Sequence, residues 1–181
     1  MYGLVNRALE EMICTRHGAE TWDRIKQKAG VDIDIFVRME AYPDDITYRL
    51  VGAACEELAV TPADTLCDFG RHWVRYTGQA GYGALFDAAG STVQEVLANL
   101  DDLHSRIGLL YPQLQPPSFK CTEVTDDALV LHYYSTRQGL APMVIGLLHG
   151  IGEHFGKRLE IAQLTSKAQG DDHDSFRIHL A

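Results

Sequence analysis

Apolar positions in the first half of the chain recur with helical spacing. Val5, Ala8, Leu9 and Met12 fall at i, i+3, i+4 and i+7, which predicts an opening amphipathic helix that ends near His17 and Gly18. Residues 22–29, closed by Gly30, read as a second helix, and residues 48–58, after the turn Tyr42-Pro43-Asp44-Asp45, as a third. Thr61-Pro62-Ala63-Asp64 supplies a capping hydroxyl, a proline at the first helical position and an acid in the first turn, so a fourth helix opens there, with Leu66, Phe69 and Trp73 on one face. Gly78, Gly81, Gly83 and Gly90 punctuate a loop and a short helix. Ser91 and Thr92, each three residues before Gln94 or Glu95, form overlapping capping boxes at the head of a long helix predicted to reach about Leu110.

Beyond Pro112 the period shortens to two. Residues 119–124 and 128–135 flank the turn Thr125-Asp126-Asp127 and predict an antiparallel hairpin. A glycine-rich helix over about 141–157 follows, then strands at 158–164 and 175–180 around a Gly170-Asp171-Asp172 turn. Helices first and strands later indicate an α+β fold. A helical first half packs on a second half that holds a four-stranded antiparallel sheet and an intervening helix. Nothing in the 181 residues repeats or reads as a linker, so one domain is expected.

Composition narrows the setting. A chain of this length buries a core without disulfides, and the four cysteines, at 14, 55, 67 and 121, show no C-x-x-C spacing, which points to a reducing cytoplasm. The start carries acids by its tenth residue, unlike a signal peptide, and the longest apolar stretch, 140–148, is far below the ~20 residues that span a bilayer. A formal charge of −9 argues against nucleic-acid and membrane partners. The glycines follow no predicted strand, so neither a dinucleotide nor a phosphate-loop motif is present. Eight histidines, a surplus for this length, raise the question of a metal.

Two constellations bear on that question. His104 lies in the stripe Val93, Val96, Leu97, Leu100, Leu103, Ile107 and Leu110, and so faces the core. Such a histidine either bonds a neighbouring carbonyl or, kept neutral by desolvation, offers a free nitrogen to the metal of a flat apolar cofactor. Tyr133, Ser135 and Arg137 alternate along a strand and converge on one side. Two hydroxyls and a guanidinium form a receptor for carboxylates; the other reading is an ordinary half-exposed strand end. Taken together, an iron ligand and a clamp for propionates are what a protein needs to hold haem b without covalent attachment.

On these residues the chain resembles, over essentially its whole length, the haem nitric oxide/oxygen-binding (H-NOX) family, the gas-sensing domain also found in soluble guanylate cyclases. The resemblance rests on the Met1-Tyr2-Gly3 start, His104, Pro116-Pro117, the Y-x-S-x-R run at Tyr133, Ser135 and Arg137, the GLLHG segment at 146–150 and a late DHDSF stretch ending at Phe176. It implies haem buried between a mainly helical distal subdomain, 1–65, and a proximal subdomain, 66–181, that carries the His104 helix and the sheet. His104 would be the single protein ligand to iron, Tyr133, Ser135 and Arg137 the propionate clamp, and Pro117 a rigid contact that helps bend the porphyrin. Leu147 would touch the cofactor from the later helix. Val5 stands where the family has a larger aliphatic contact, which implies a flatter haem.

The departures set ligand preference. Members that bind oxygen stably use a distal tyrosine, and Met143 is aligned with it here; Leu9 and Trp73 occupy the other positions of that polar network. A thioether donates no hydrogen bond, and Trp73 reads as bulk, so NO and CO are the implied ligands. By resemblance NO weakens the bond between iron and His104, the helical half shifts against the sheet half, and the chain has no catalysis of its own. Because it ends at Ala181, output is expected to pass in trans to a histidine kinase or a cyclic-di-nucleotide signalling enzyme. An oxygen-binding haem sensor or carrier is the alternative and requires a distal donor. A metalloenzyme built on His149, Glu153 and His154 is a remote one, lacking H-E-x-x-H and a third convergent ligand. His17, His72, His132, His173 and His179 read as non-ligands, the last two in an exposed acidic C-terminal region and His132 on the face opposite Tyr133.

Overall fold

The computed structural model describes residues 1–78, 83–109, 111 and 113–181; Gly81, Leu110 and Pro112, which the sequence reading invokes, lie outside them. Helices α1 (Gly3–His17), α2 (Ala19–Ala29), α3 (Asp44–Leu58) and α4 (Pro62–Thr77) form where the apolar period predicts them. Gly18, at φ 85°, separates α1 from α2 in a single residue, so α2 begins three residues earlier than its first large apolar side chain. Likewise α3 opens at Asp44 and Asp45, whose charges suit the positive end of a helix, rather than at Tyr48. Leu9, Met12 and Ile13 of α1, Trp22 and Ile25 of α2, Leu50 and Ala54 of α3 and Phe69 of α4 pack into a first core.

The second core forms under the sheet. Strands β1 (Ser118–Thr122), β2 (Ala128–Tyr134), β3 (Leu159–Thr165) and β4 (Asp174–Leu180) are antiparallel in the order β1-β2-β4-β3. Leu129 and Leu131 alternate inward from β2 with Phe176 and Ile178 from β4. They meet Val93, Val96 and Leu97 of α6 (Val93–Ala98) and Val144, Leu148 and Ile151 of α8 (Ala141–His154), with the short α5 (Gly83–Asp87) ahead of α6. Helix α4 runs unbroken through the 65/66 boundary, and its Phe69 and Tyr76 join the first core while Val74 joins the second.

One expectation is corrected outright. The long helix drawn from Ser91 to Leu110 is two helices, α6 and α7 (Leu100–Gly108), joined at Asn99. The Asn99 backbone sits at φ −101°, ψ 8°, and its side-chain amide donates to the Ala89 carbonyl at 2.7 Å, a local bond that competes with continuous helix. The capping chemistry survives: the Thr92 hydroxyl accepts from the Glu95 N–H, and the Glu95 carboxylate reaches back to Ser91. The later glycine-rich helix stops at His154 rather than 157, because Lys157 N–H turns back onto the Gly152 carbonyl around Gly156 at φ 64°.

Helices α4 and α8 cross with their backbones in contact. A Cβ built on Gly70 would stand 2.2 Å from the Met143 carbonyl oxygen, and one on Gly146 would stand 1.9 Å from that of Cys67. Both obstacles are backbone, which cannot rotate away as a side chain can. Gly146→Ala is therefore expected to destabilise the protein by about 3 kcal/mol or more in chemical denaturation. Gly52→Ala, in α3 with nothing within 4 Å of its Cβ, is expected to stabilise it by up to about 1 kcal/mol.

Candidate functional site

Between the two cores lies a cavity of about 1100 Å³. Val5 and Leu9 reach it from α1, Trp73 from α4, and Met143 and Leu147 from α8; His104 comes from α7, Pro117 from the segment before β1, and Tyr133, Ser135 and Arg137 from the end of β2 and the turn beyond it. The structure thus brings all ten side chains singled out in the sequence to one wall or another of the same space. The apolar stripe of α7, Leu100, Leu103, His104 and Ile107, lines this space, and none of α7 is fully buried.

His104 has an exceptional environment. Its Nδ1 is buried and has no hydrogen-bond partner of good geometry among the described residues. Burial holds the imidazole below its ordinary protonation range, against the pull of the Asp101 carboxylate and the Pro117 backbone, so the ring is neutral at physiological pH. Asp101, one turn earlier on α7, accepts from the Phe119 N–H at 2.6 Å and from the Ser118 hydroxyl at 2.8 Å, and so ties α7 to β1. The Phe119 ring stands between the His104 ring, 5.8 Å away, and that of Tyr133, 5.3 Å away.

Tyr133, Ser135 and Arg137 do converge, but not as one strand face. Strand β2 ends at Tyr134, and a turn in which the Arg137 N–H donates to the Ser135 hydroxyl at 3.1 Å brings the last two residues to the cavity. Tyr133 is buried and its phenol is pushed upward by that burial, so it remains a donor. Arg137 Nε donates to Asp44 at 2.7 Å and its Nη1 to the Gln115 carbonyl at 2.9 Å. That leaves N–H groups on both terminal nitrogens directed to no close partner. The N-terminal ammonium of Met1 also donates to Asp44. Partial burial raises the Asp44 carboxyl, but Arg137 and that ammonium outweigh it and hold the group below the usual carboxylate range.

Sequence reasoning missed Asp44, Asp101 and Phe119. On the wall around Val5, Leu9, Trp73 and Met143, the Thr47 hydroxyl is spent on Asn6 at 2.7 Å and the Thr77 hydroxyl on the Trp73 carbonyl at 2.8 Å. His149 and Glu153 line a separate surface cleft, while the neighbouring His154 turns onto Phe86, with ring centres 5.0 Å apart. His173, expected to be exposed, is largely covered, its imidazole hydrogen-bonded to His132 at 2.8 Å.

The family model described as Haem-NO-binding matches residues 2–163. The chain is 29% identical over 184 residues to soluble guanylate cyclase gcy-31 of Caenorhabditis elegans, an alignment covering 99% of this chain and 26% of that relative. It is 36% identical over 87 residues to guanylate cyclase soluble subunit beta-2 of Rattus norvegicus, covering 48% of this chain and 13% of the relative. The chain spans about a quarter of the length of the curated relatives it matches most fully. Among solved structures it is similar to an H-NOX protein from S. oneidensis in the Fe(II)NO state, with TM-score 0.91, 21% identity and 100% and 99% of the two chains covered. An unliganded Fe(II) H-NOX protein from K. algicida gives TM-score 0.86 at 22% identity, covering 100% and 97%. At these identities the likeness is one of fold.

The depressed Asp44 carboxyl makes a pH-dependent contribution with a definite sign: it is present above the carboxyl's unfolded-state range and is lost as pH falls through the lower folded value. Asp44→Asn is expected to cost about 1 kcal/mol or less at pH 7, since the pair is partly exposed and screened. In urea titrations across acidic pH, the gap between the two proteins should close as Asp44 protonates.

Proposed function

The chain belongs to the Haem-NO-binding (H-NOX) family of haem-based gas sensors, and from that premise we propose that it senses NO and CO at haem b held by His104. One observation carries the reading: the His104 imidazole, its charge suppressed by burial, lines an apolar cavity that it shares with a Tyr133, Ser135 and Arg137 carboxylate receptor. That donor set fits the group, which needs an axial nitrogen on one side and donors for two carboxylates at its edge. When bound, haem b would supply a ferrous iron able to take up a diatomic gas.

The chain's own residues do the rest. His104 would hold the iron through a ring nitrogen, and desolvation disfavours its protonation. Tyr133, Ser135 and the uncommitted N–H groups of Arg137 bind and orient the propionates. Pro117 gives a rigid contact beside the imidazole. Met143, Leu147, Leu9 and Val5 line the cavity with side chains that offer no N–H or O–H donor, which would favour NO and CO over oxygen.

A displacement of His104 is passed on in two directions. Phe119 and the Asp101 tie carry it to β1, and Arg137, through Asp44, links the sheet half to α3 and the first residue. These are the two-state contacts that a signalling partner reads. We infer that the partner is a signalling enzyme, a histidine kinase or a cyclic-di-nucleotide enzyme, in a reducing cytoplasm that suits four free thiols.

Absorption spectra of the reduced protein alone and with CO, NO and air test the reading. Spectral changes with CO and NO, and no stable complex in air, are expected; a stable oxy complex would overturn the account of the distal wall, and a protein that refuses added haem would overturn the whole. His104→Gly should take up haem only when imidazole is supplied. Met143→Tyr should slow oxygen dissociation about tenfold or more by adding one donor to a charged acceptor, read by stopped flow.

A further inference from the structure

On the sheet face turned away from the cavity, four side chains form one continuous hydrogen-bonded chain. The Thr122 hydroxyl meets His132 Nε2 at 2.8 Å, His132 Nδ1 meets His173 Nε2 at 2.8 Å, and His173 Nδ1 meets an Asp172 carboxylate oxygen at 2.5 Å. The Tyr134 ring stacks on His173 with centres 4.4 Å apart. With both imidazoles neutral, one assignment of protons satisfies every bond. His173 donates from Nδ1 to the carboxylate, His132 donates from Nδ1 to His173, and Thr122 donates to His132.

The chain ends on the connection between β3 and β4, which also reaches the carboxylate receptor. Lys167, in a 3-10 turn of that connection (Lys167–Gln169), donates from Nζ to the Ser135 carbonyl at 2.5 Å and from its backbone N–H to Asp174 at 3.0 Å. The His173 carbonyl is held in turn by the Thr165 hydroxyl at 3.0 Å. The connection is thus fastened at one end to β2 through the histidine pair and at the other to the turn that carries Ser135 and Arg137.

We propose that Thr122, His132, His173 and Asp172 form a proton-sensitive latch that positions the Ser135–Arg137 turn from behind, through Lys167. The inference rests on the haem reading for what the turn binds, but not for the latch itself. A first proton is accommodated: His173 becomes a double donor, and His132 shifts its hydrogen to Nε2 and donates to Thr122. A second would put hydrogens on both facing nitrogens and break the bond between the rings, so the latch opens in acid. Lys120, opposite His132 on β1, opposes protonation, while Glu123, itself paired with Arg177 at 2.9 Å, and Asp172 favour it; Asp171 accepts from the Ser166 N–H. Burial, then the His173 and Lys120 charges, hold His132 below its ordinary range.

Two variants separate latch from bulk. His132→Asn keeps a donor near the Nδ1 position without a titrating ring, and His132→Phe removes it. In the haem-loaded protein, His132→Phe is expected to release haem to an acceptor globin about fivefold faster at pH 7, the effect of one hydrogen bond, and His132→Asn at close to the wild-type rate. The ratio of the wild-type rate to the His132→Asn rate should be flat above neutrality and climb in acid with the pair's second protonation. In the protein without haem, nitrogen NMR should find both imidazoles protonated at Nδ1 at neutral pH, and His132→Phe should shift the Ser135 and Lys167 amides. Equal release rates in all three proteins, or a pH-independent ratio, would overturn the proposal. Failure of the protein to take haem at all would instead strike the functional reading, and the NMR arm would still decide whether the latch exists.

Discussion

The backbone contact between α4 and α8 is the constraint from which the rest of the molecule is built. Gly70 and Gly146 bring two helices together at a distance no other residue permits, and each helix then carries side chains for both cores. Trp73 on one and Met143 and Leu147 on the other become parts of one wall because the crossing leaves them no freedom to separate. Close packing there and open space beside it are two sides of the same arrangement: helices locked at one point can span a cavity without collapsing into it.

On the opposite side the logic is electrostatic. His104 sits where desolvation suppresses its charge, while Asp101, one turn away, stays an acceptor by taking two donors from β1. One acid therefore anchors a helix without neutralising the purpose of its histidine. At the rim, Asp44 draws Arg137 and the N-terminal ammonium to one point, joining chain segments that are 93 residues apart in the case of the arginine.

What was legible in the sequence follows from what each feature depends on. Helices α1 to α4 and the sheet show in apolar periodicity because burial on one face selects for it, and His104, Tyr133, Ser135 and Arg137 show because their chemistry is rare in those surroundings. Asp44 and Asp101 do not show, since the first reads as a turn acid and the second bonds a backbone N–H that any residue in β1 would offer. The bend at Asn99 is hidden because the apolar stripe continues in phase on both sides of it. His173 is hidden for a related reason: its neighbours Asp171, Asp172 and Asp174 read as solvated surface, and the partner that covers it lies 41 residues upstream.

The bend at Asn99 also makes α7 a lever. His104 lies five residues from the bend and Leu109, at the far end and 84% exposed, lies ten, so a swing about Asn99 moves the outer end about twice as far as the histidine. Asp101 sits close to the fulcrum, where its bonds to β1 resist rotation least. A sub-ångström displacement of the histidine would thereby be enlarged, without any chemical intermediary, at an apolar side chain on the protein's surface.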